Sequence, residues 1–196
     1  GALVVGNVVT DVQGDGINLS DTGDNHEFDR NRVTDACATT TLTCASFAIA
    51  SGATADDVRV YRNRFDVGAG GEDYGLAIFG AATNVKLALN HVFGGAGSGL
   101  AAALRIDAGQ AVVRYNVLAW DTPVSTAVVD LQGGTGFLQA DAFNEAEATT
   151  GTPTRINAGG GTVFDCATDL GVIGCYPHFT VAMYPDTQAN FGLLET

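Results

Sequence analysis

The chain has 196 residues, with 17 Asp and 5 Glu set against 8 Arg and one Lys (Lys86), and a formal net charge of −13. That length is enough for one domain with a sizeable core, and a field of that sign repels nucleic acid and anionic membrane surfaces. No apolar run approaches the about 18 residues that a membrane-spanning helix needs.

The first segment, ALVVGNVV (Ala2–Val9), alternates like a strand and is interrupted at Asn7. HEFDRNRV (His26–Val33), VRVYRNRF (Val58–Phe65), VKLALNHV (Val85–Val92) and AVVRYNVL (Ala111–Leu118) repeat the same frame. Their asparagines are Asn31, Asn63, Asn90 and Asn116, with a weaker match at Asn144, and the steps are 24, 32, 27, 26 and 28 residues. An apolar residue stands three before each full match (Val4, Phe28, Val60, Leu87, Val113). Another stands two after it (Val9, Val33, Phe65, Val92, Leu118). A fixed period of this size marks a repeat architecture.

Each period holds a further apolar run, centred on Ile17, Ile49, Ile78, Ile106, Val129 and Ile156 in turn. Gly, Asp, Thr and Ala clusters such as Gly14-Asp15-Gly16 and Gly94-Gly95-Ala96-Gly97 separate the runs and are turn signals. The unit therefore reads as strand, asparagine corner, strand, loop, strand, with no 3.6-residue periodicity for a helix. Asparagine tolerates a left-handed backbone, so it is expected to form the corner itself. Its amide both donates and accepts, so asparagines stacked coil over coil form a ladder.

These features resemble the right-handed parallel β-helices of the pectate-lyase-like superfamily over about residues 2–165. The expected fold is all-β: a right-handed single-stranded parallel β-helix of six to seven coils over residues 1–165. Residues 166–196 break the repeat and read as an irregular C-terminal cap or docking segment. The resemblance covers lyases, hydrolases, phage tailspikes, adhesins and surface fibres, so it fixes fold rather than function.

Four cysteines form two local pairs, Cys37-x6-Cys44 and Cys166-x8-Cys175, without zinc or redox spacing. Both are read as disulfides, which places the protein in an oxidising, secreted or cell-surface setting. The chain does not begin with Met, so it reads as a processed chain or an excised fragment. Asn18-Leu19-Ser20 is a formal glycosylation sequon. Asp-rich turns are compatible with calcium, although no calcium-loop motif is present. No other cofactor is expected.

Chemistry on such a fold is sought in columns of outward residues. One after the asparagine, the column is Val8, Arg32, Arg64, His91, Val117; one before, Gly6, Arg30, Arg62, Leu89, Tyr115; four before, Leu3, Glu27, Arg59, Lys86, Val112. Arg30, Arg32, Arg62, Arg64 and His91 thus gather on one side and form a candidate polysaccharide-binding site. By resemblance to lyases of this fold, Arg62, Arg64 or Lys86 would be the base and His91 or Tyr61 the proton donor. The bland alternative is an exposed Arg–Asp ladder that keeps a flat face soluble. For hydrolysis the candidates are Asp11, Asp15, Asp35, Asp56, Asp57, Glu72 and Asp73. GDGINLS is similar to a polygalacturonase segment, with Gly14 in place of one of its aspartates. Trp120, Tyr61, Tyr74 and Tyr115 are candidates for sugar stacking.

The expected function is structural or adhesive: a secreted building block of an extracellular filament or surface layer that self-associates through its ends. The alternative is a polysaccharide lyase, hydrolase or carbohydrate-binding module. A trimeric tailspike fragment is a third reading. Neither nucleic-acid binding nor membrane insertion is expected.

Overall fold

The computed structural model describes residues 1–37, 43–67, 74–94, 100–120, 127–139, 142–143, 154–157 and 159–165. The first coil is β1 (Leu3–Val5), β2 (Val8–Thr10) and β3 (Ile17–Leu19); the second is β4 (Asp24–Asp29), β5 (Arg32–Thr34) and β6 (Ala45–Ile49). Then come β7 (Asp56–Tyr61), β8 (Arg64–Val67) and β9 (Tyr74–Ile78), followed by β10 (Val85–Ala88), β11 (His91–Gly94) and β12 (Ala102–Ile106). Next are β13 (Gln110–Arg114), β14 (Val117–Trp120) and β15 (Ala127–Leu131). The last described strands are β16 (Thr135–Gln139), β17 (Ala142–Phe143), β18 (Thr154–Asn157) and β19 (Thr162–Asp165). Every third strand joins one sheet. The first sheet runs β1-β4-β7-β10-β13-β16-β19, the second β2-β5-β8-β11-β14-β17 and the third β3-β6-β9-β12-β15-β18. All pairings between these strands are parallel, so the protein is an all-β parallel solenoid.

The repeat predicts six to seven coils. The coils stacked on both sides and holding every buried ladder asparagine are four, β4 through β15. The coil β1–β3 is paired on one side only, and past β15 the described strands are separated by residues outside the description. The enclosed stack is therefore about four turns, shorter than expected. The segment 166–196, with Cys166–Cys175, lies outside the described residues.

The interior follows the two apolar positions around each asparagine. Val4, Phe28, Val60, Leu87 and Val113 stack in register in the first sheet. Val9, Val33 and Phe65 stack likewise in the second. Phe28, Phe47 and Phe65, one from each sheet, meet at the centre, with ring centroids 5.0 and 6.5 Å apart. The third strands contain the further apolar runs. The apolar centres fall into two columns, one of Ile17, Phe47, Leu76, Leu104 and Val129, the other of Leu19, Ile49, Ile78, Ile106 and Leu131. Both point inward because alternate residues of a strand share a face, and the isoleucines alone do not mark which column they occupy.

At each corner the left-handed residue is the one before the asparagine. Gly6, Arg30, Arg62, Leu89 and Tyr115 have φ of 68, 52, 54, 57 and 56°, and none of the five asparagines has a positive φ. The strain of a side chain at positive φ is accepted at four of the five corners. It is offset by what the next residue gains. Asn63 Oδ1 accepts from the Asn31 backbone N–H and from Asn31 Nδ2, both at 2.9 Å. Asn63 Nδ2 donates to Asn90 Oδ1 at 3.0 Å and to Phe28 O at 2.8 Å. Asn90 repeats this with Asn116 and Val60, and Asn31 with Asn63 and Val4. Each buried amide in the run is thereby saturated, as burial requires. Asn144 lies outside the described residues.

Loops close against this frame. Cys37 and Cys44 are disulfide-bonded with Cα atoms 6.1 Å apart, and closing so short a loop stabilises by about 2 kcal/mol. At Gly16 an added Cβ would stand 2.3 Å from Val33 Cγ1 and 2.6 Å from Ser46 O, so the second glycine of the GDG turn is a packing requirement. Buried His26 accepts from the Ala2 N–H through Nδ1 at 3.2 Å. Because that N–H can only donate, Nε2 carries the ring hydrogen and donates to Gly23 O at 2.9 Å.

Asn90→Ala removes two acceptor and two donor contacts and strands buried partners. It is expected to cost about 4 kcal/mol, whereas Asn7→Ala, at the exposed first rung, is expected to cost about 1 kcal/mol. Urea unfolding of both variants checks this, and equal losses would remove the ladder from the account.

Candidate functional site

The corner sets the geometry of the candidate face. Residues just before and just after each asparagine flank it on adjoining sheets, and both point outward. Arg32, Arg64 and His91 align in register on β5, β8 and β11, and Glu27, Arg59 and Lys86 align on β4, β7 and β10, as the columns predict. Arg30 and Arg62 occupy the left-handed positions of two successive corners. Arg62, Asn63, Arg64, Leu89 and His91 line an open depression of about 360 Å³.

Two aspartates organise the arginines. Asp29, whose side chain is 2% exposed, accepts from Arg30 Nε and Arg62 Nε, each at 2.7 Å. Asp66 accepts from Arg32 and from Arg64 Nε, at 2.8 Å each. In this island four guanidinium groups share two carboxylates, on a chain of net charge −13. The island is thus a clamped array and more than a simple exposed ladder. One carboxylate holds an arginine from each of two coils.

The pKa of His91 is lowered, first by burial and second by the charge of Arg64. The neutral imidazole is therefore the form present at neutral pH. Because the folded state disfavours the charged form, it binds fewer protons than the unfolded chain just below pH 6.5. The associated stabilisation is complete above that pH and is lost as pH falls towards the folded value.

Of the lyase candidates, Arg62, Arg64 and His91 come together at the depression, and the other lyase and hydrolase candidates lie elsewhere. Lys86 is on the first sheet and bonds Asp57 at 3.1 Å, while His91 is on the second sheet. Tyr61 is buried in an outer cluster with Ala88 and Tyr115, against Leu89. Asp15 accepts the Ala45 N–H at 2.8 Å, Asp56 accepts from Thr83 Oγ1 at 2.7 Å, and Asp57 is shared by Arg59, Lys86 and Asn84. Asp11 and Asp35 sit at positive-φ turn positions. Glu72, Asp73 and His178 lie outside the described residues. Among the described residues no group of three His, Cys, Asp or Glu could hold a metal ion.

One charged cluster escapes the corner frame. On the outer face of the third sheet, Arg105 pairs with Asp107 and with buried Asp130, lies 5.5 Å from the centre of the Tyr74 ring, and faces Asp130 in register. Gln132 donates to Asp130 at 2.8 Å. Burial works against the charge on Arg105, but Asp107, Tyr74 and Asp130 together raise its pKa. The alternation Leu104-Arg105-Ile106 and Val129-Asp130-Leu131 is the signal that finds this pair. Tyr74 also packs edge-on against Phe79 at 5.9 Å, so neither it nor Tyr61 or Tyr115 offers a free stacking platform.

No protein family, curated protein or solved structure matches the chain.

The His91 midpoint in an NMR pH titration is expected below 6.5. Arg64→Gln should raise it only in part, because burial is the larger cause. A midpoint at or above 6.5 would contradict this description of the face.

Proposed function

We propose that this protein is a structural or adhesive solenoid, a building block of an extracellular filament or surface layer. The observation that carries the reading is the uniform stacking of the coils: β4 through β15 pair in parallel in three continuous sheets. The backbone groups of a coil face are a template for further parallel strands. Coils added along such a stack extend one rod along one axis, and a head-to-tail contact that does not close makes a filament. Outward Leu3, Val5 and Val8 add exposed apolar surface, Leu3 and Val8 being 72% and 71% exposed.

Other features are consistent with this reading. The Cys37–Cys44 disulfide suits an oxidising compartment. The outer arginines are held in ion pairs with aspartates, an arrangement that keeps a flat face soluble. We further infer that the coils are right-handed and of the pectate-lyase-like class, supported by the left-handed residue followed by a laddered asparagine and by the strong right-handed preference of parallel crossovers. The polysaccharide-active enzyme is the second reading, favoured by the depression between Arg62, Arg64 and His91.

Negative-stain microscopy at high protein concentration, with and without calcium, tests the proposal. Thin rods several times the length of one molecule are expected. Discrete single particles under both conditions would overturn it and turn attention to assays for new unsaturated or reducing sugar ends.

A further inference from the structure

The sequon Asn18-Leu19-Ser20 has an arrangement that neither coil stacking nor the arginine face uses. Of the eleven asparagines in the chain, Asn18 alone has a hydroxyl residue two positions on. It is the middle residue of β3. Leu19 turns inward and is 6% exposed, while Asn18 and Ser20 on either side of it are exposed, as the alternation of a strand requires. The acceptor amide and the hydroxyl that completes the sequon therefore stand on one outward face. The partner of Asn18 in register on the next coil is Ala48, a side chain too short to cover it. Asn18 Nδ2 donates to Asp15 Oδ2 in the adjoining GDG turn. The buried amides of Asn31, Asn63 and Asn90 differ, because each gives both of its hydrogens to neighbouring coils.

We propose that Asn18 is an N-glycosylation site, the acceptor of a lipid-linked oligosaccharide as the chain enters an oxidising secretory compartment. The inference rests on the extracellular setting of the reading above. In the transfer, Asn18 Nδ2 attacks C1 of the oligosaccharide. The N–C1 bond forms, the bond from C1 to the pyrophosphate oxygen breaks, the lipid pyrophosphate leaves, and Nδ2 gives up one of its two hydrogens as a proton. The hydrogen that stays on Nδ2 serves Asp15 Oδ2, so the modified side chain keeps its bond to the turn. A ladder amide could not make this exchange without stranding a buried acceptor.

The position suits a large, solvated modification. β3 belongs to the third sheet, whereas Arg30, Arg32, Arg62 and Arg64 flank the corner between the first and second sheets, so a glycan at Asn18 leaves the arginine face clear. An outward side chain points across the solenoid axis, and the strands pair along that axis. A glycan there leaves coil stacking open and opposes side-by-side packing of third-sheet faces.

The test uses the full chain behind a cleavable secretory leader, translated in the presence of endoplasmic-reticulum microsomes. Protease-protected chains are treated with peptide-N-glycosidase, which removes the glycan and converts its asparagine to aspartate. The tryptic peptide that ends at Arg30, the first Lys or Arg of the sequence, is then read by mass spectrometry. A loss of mass on treatment is expected, with the conversion at position 18 and none at Asn7 or Asn25. Asn18→Gln and Ser20→Ala should each abolish the loss, and Ser20→Thr should keep it. Glycosylated chains should form the Cys37–Cys44 disulfide to the same extent as Asn18→Gln chains. The proposal is overturned by protected wild-type chains that carry no glycan, by a glycan that persists in Asn18→Gln, or by glycosylated chains that lose the disulfide. The first result is read on the wild-type chain and needs no variant to fold. A bare chain that forms rods sinks this inference alone, and a glycosylated chain that forms none sinks the filament reading alone.

Discussion

A parallel solenoid stands or falls on its corner. Each turn of the chain must bend at the same place, and the bend takes backbone groups out of the regular strand pattern while keeping them buried. Here one asparagine per coil resolves that conflict. Its oxygen accepts the N–H groups of the asparagine on one side, and its nitrogen reaches the next amide and a strand carbonyl. Because the partners are on neighbouring coils, each corner depends on the next, and the ladder couples the register of the two sheets that meet at it. The left-handed residue before it is tolerated at Arg, Leu and Tyr, residue types that would not choose that conformation, which shows how strongly the ladder dictates the bend.

The same constraint writes the surface. Since the corner repeats, the residues flanking it repeat in space, and a chance Arg-Asn-Arg in two successive coils becomes a two-by-two array. Asp29 and Asp66 turn that array from four mutually repelling cations into two clamped pairs. Isolated surface ion pairs are worth little, but a buried carboxylate that accepts from two coils also fixes the direction of both guanidinium groups. Orientation is the property a binding face needs.

The frame of the fold was legible because the ladder demands one residue type at one position. The inward columns around Asn31, Asn63, Asn90 and Asn116 and the outward columns of Arg32, Arg64 and His91 followed from counting alone. What counting could not supply was conformation and shared contacts. The left-handed φ belongs to the residue before the asparagine, because the side chain that saturates the buried groups must belong to the residue that re-enters the strand. The register of the third strands was not legible, because two inward columns two residues apart carry interchangeable aliphatic residues. The sharing of Asp29 between Arg30 and Arg62 spans 33 residues, and the pairing of Arg105 with Asp130 lies outside the asparagine frame, so neither has a local signature.

The central claim is that the asparagine ladder is the most persistent hydrogen-bonded element of the molecule. Native-state hydrogen exchange, followed by NMR at the backbone N–H and side-chain amides of Asn31, Asn63 and Asn90, tests it most directly. The account predicts that these protons exchange only with global unfolding and carry the full unfolding free energy. Exchange at Asn63 and Asn90 as fast as at the exposed residues of the first coil would contradict it.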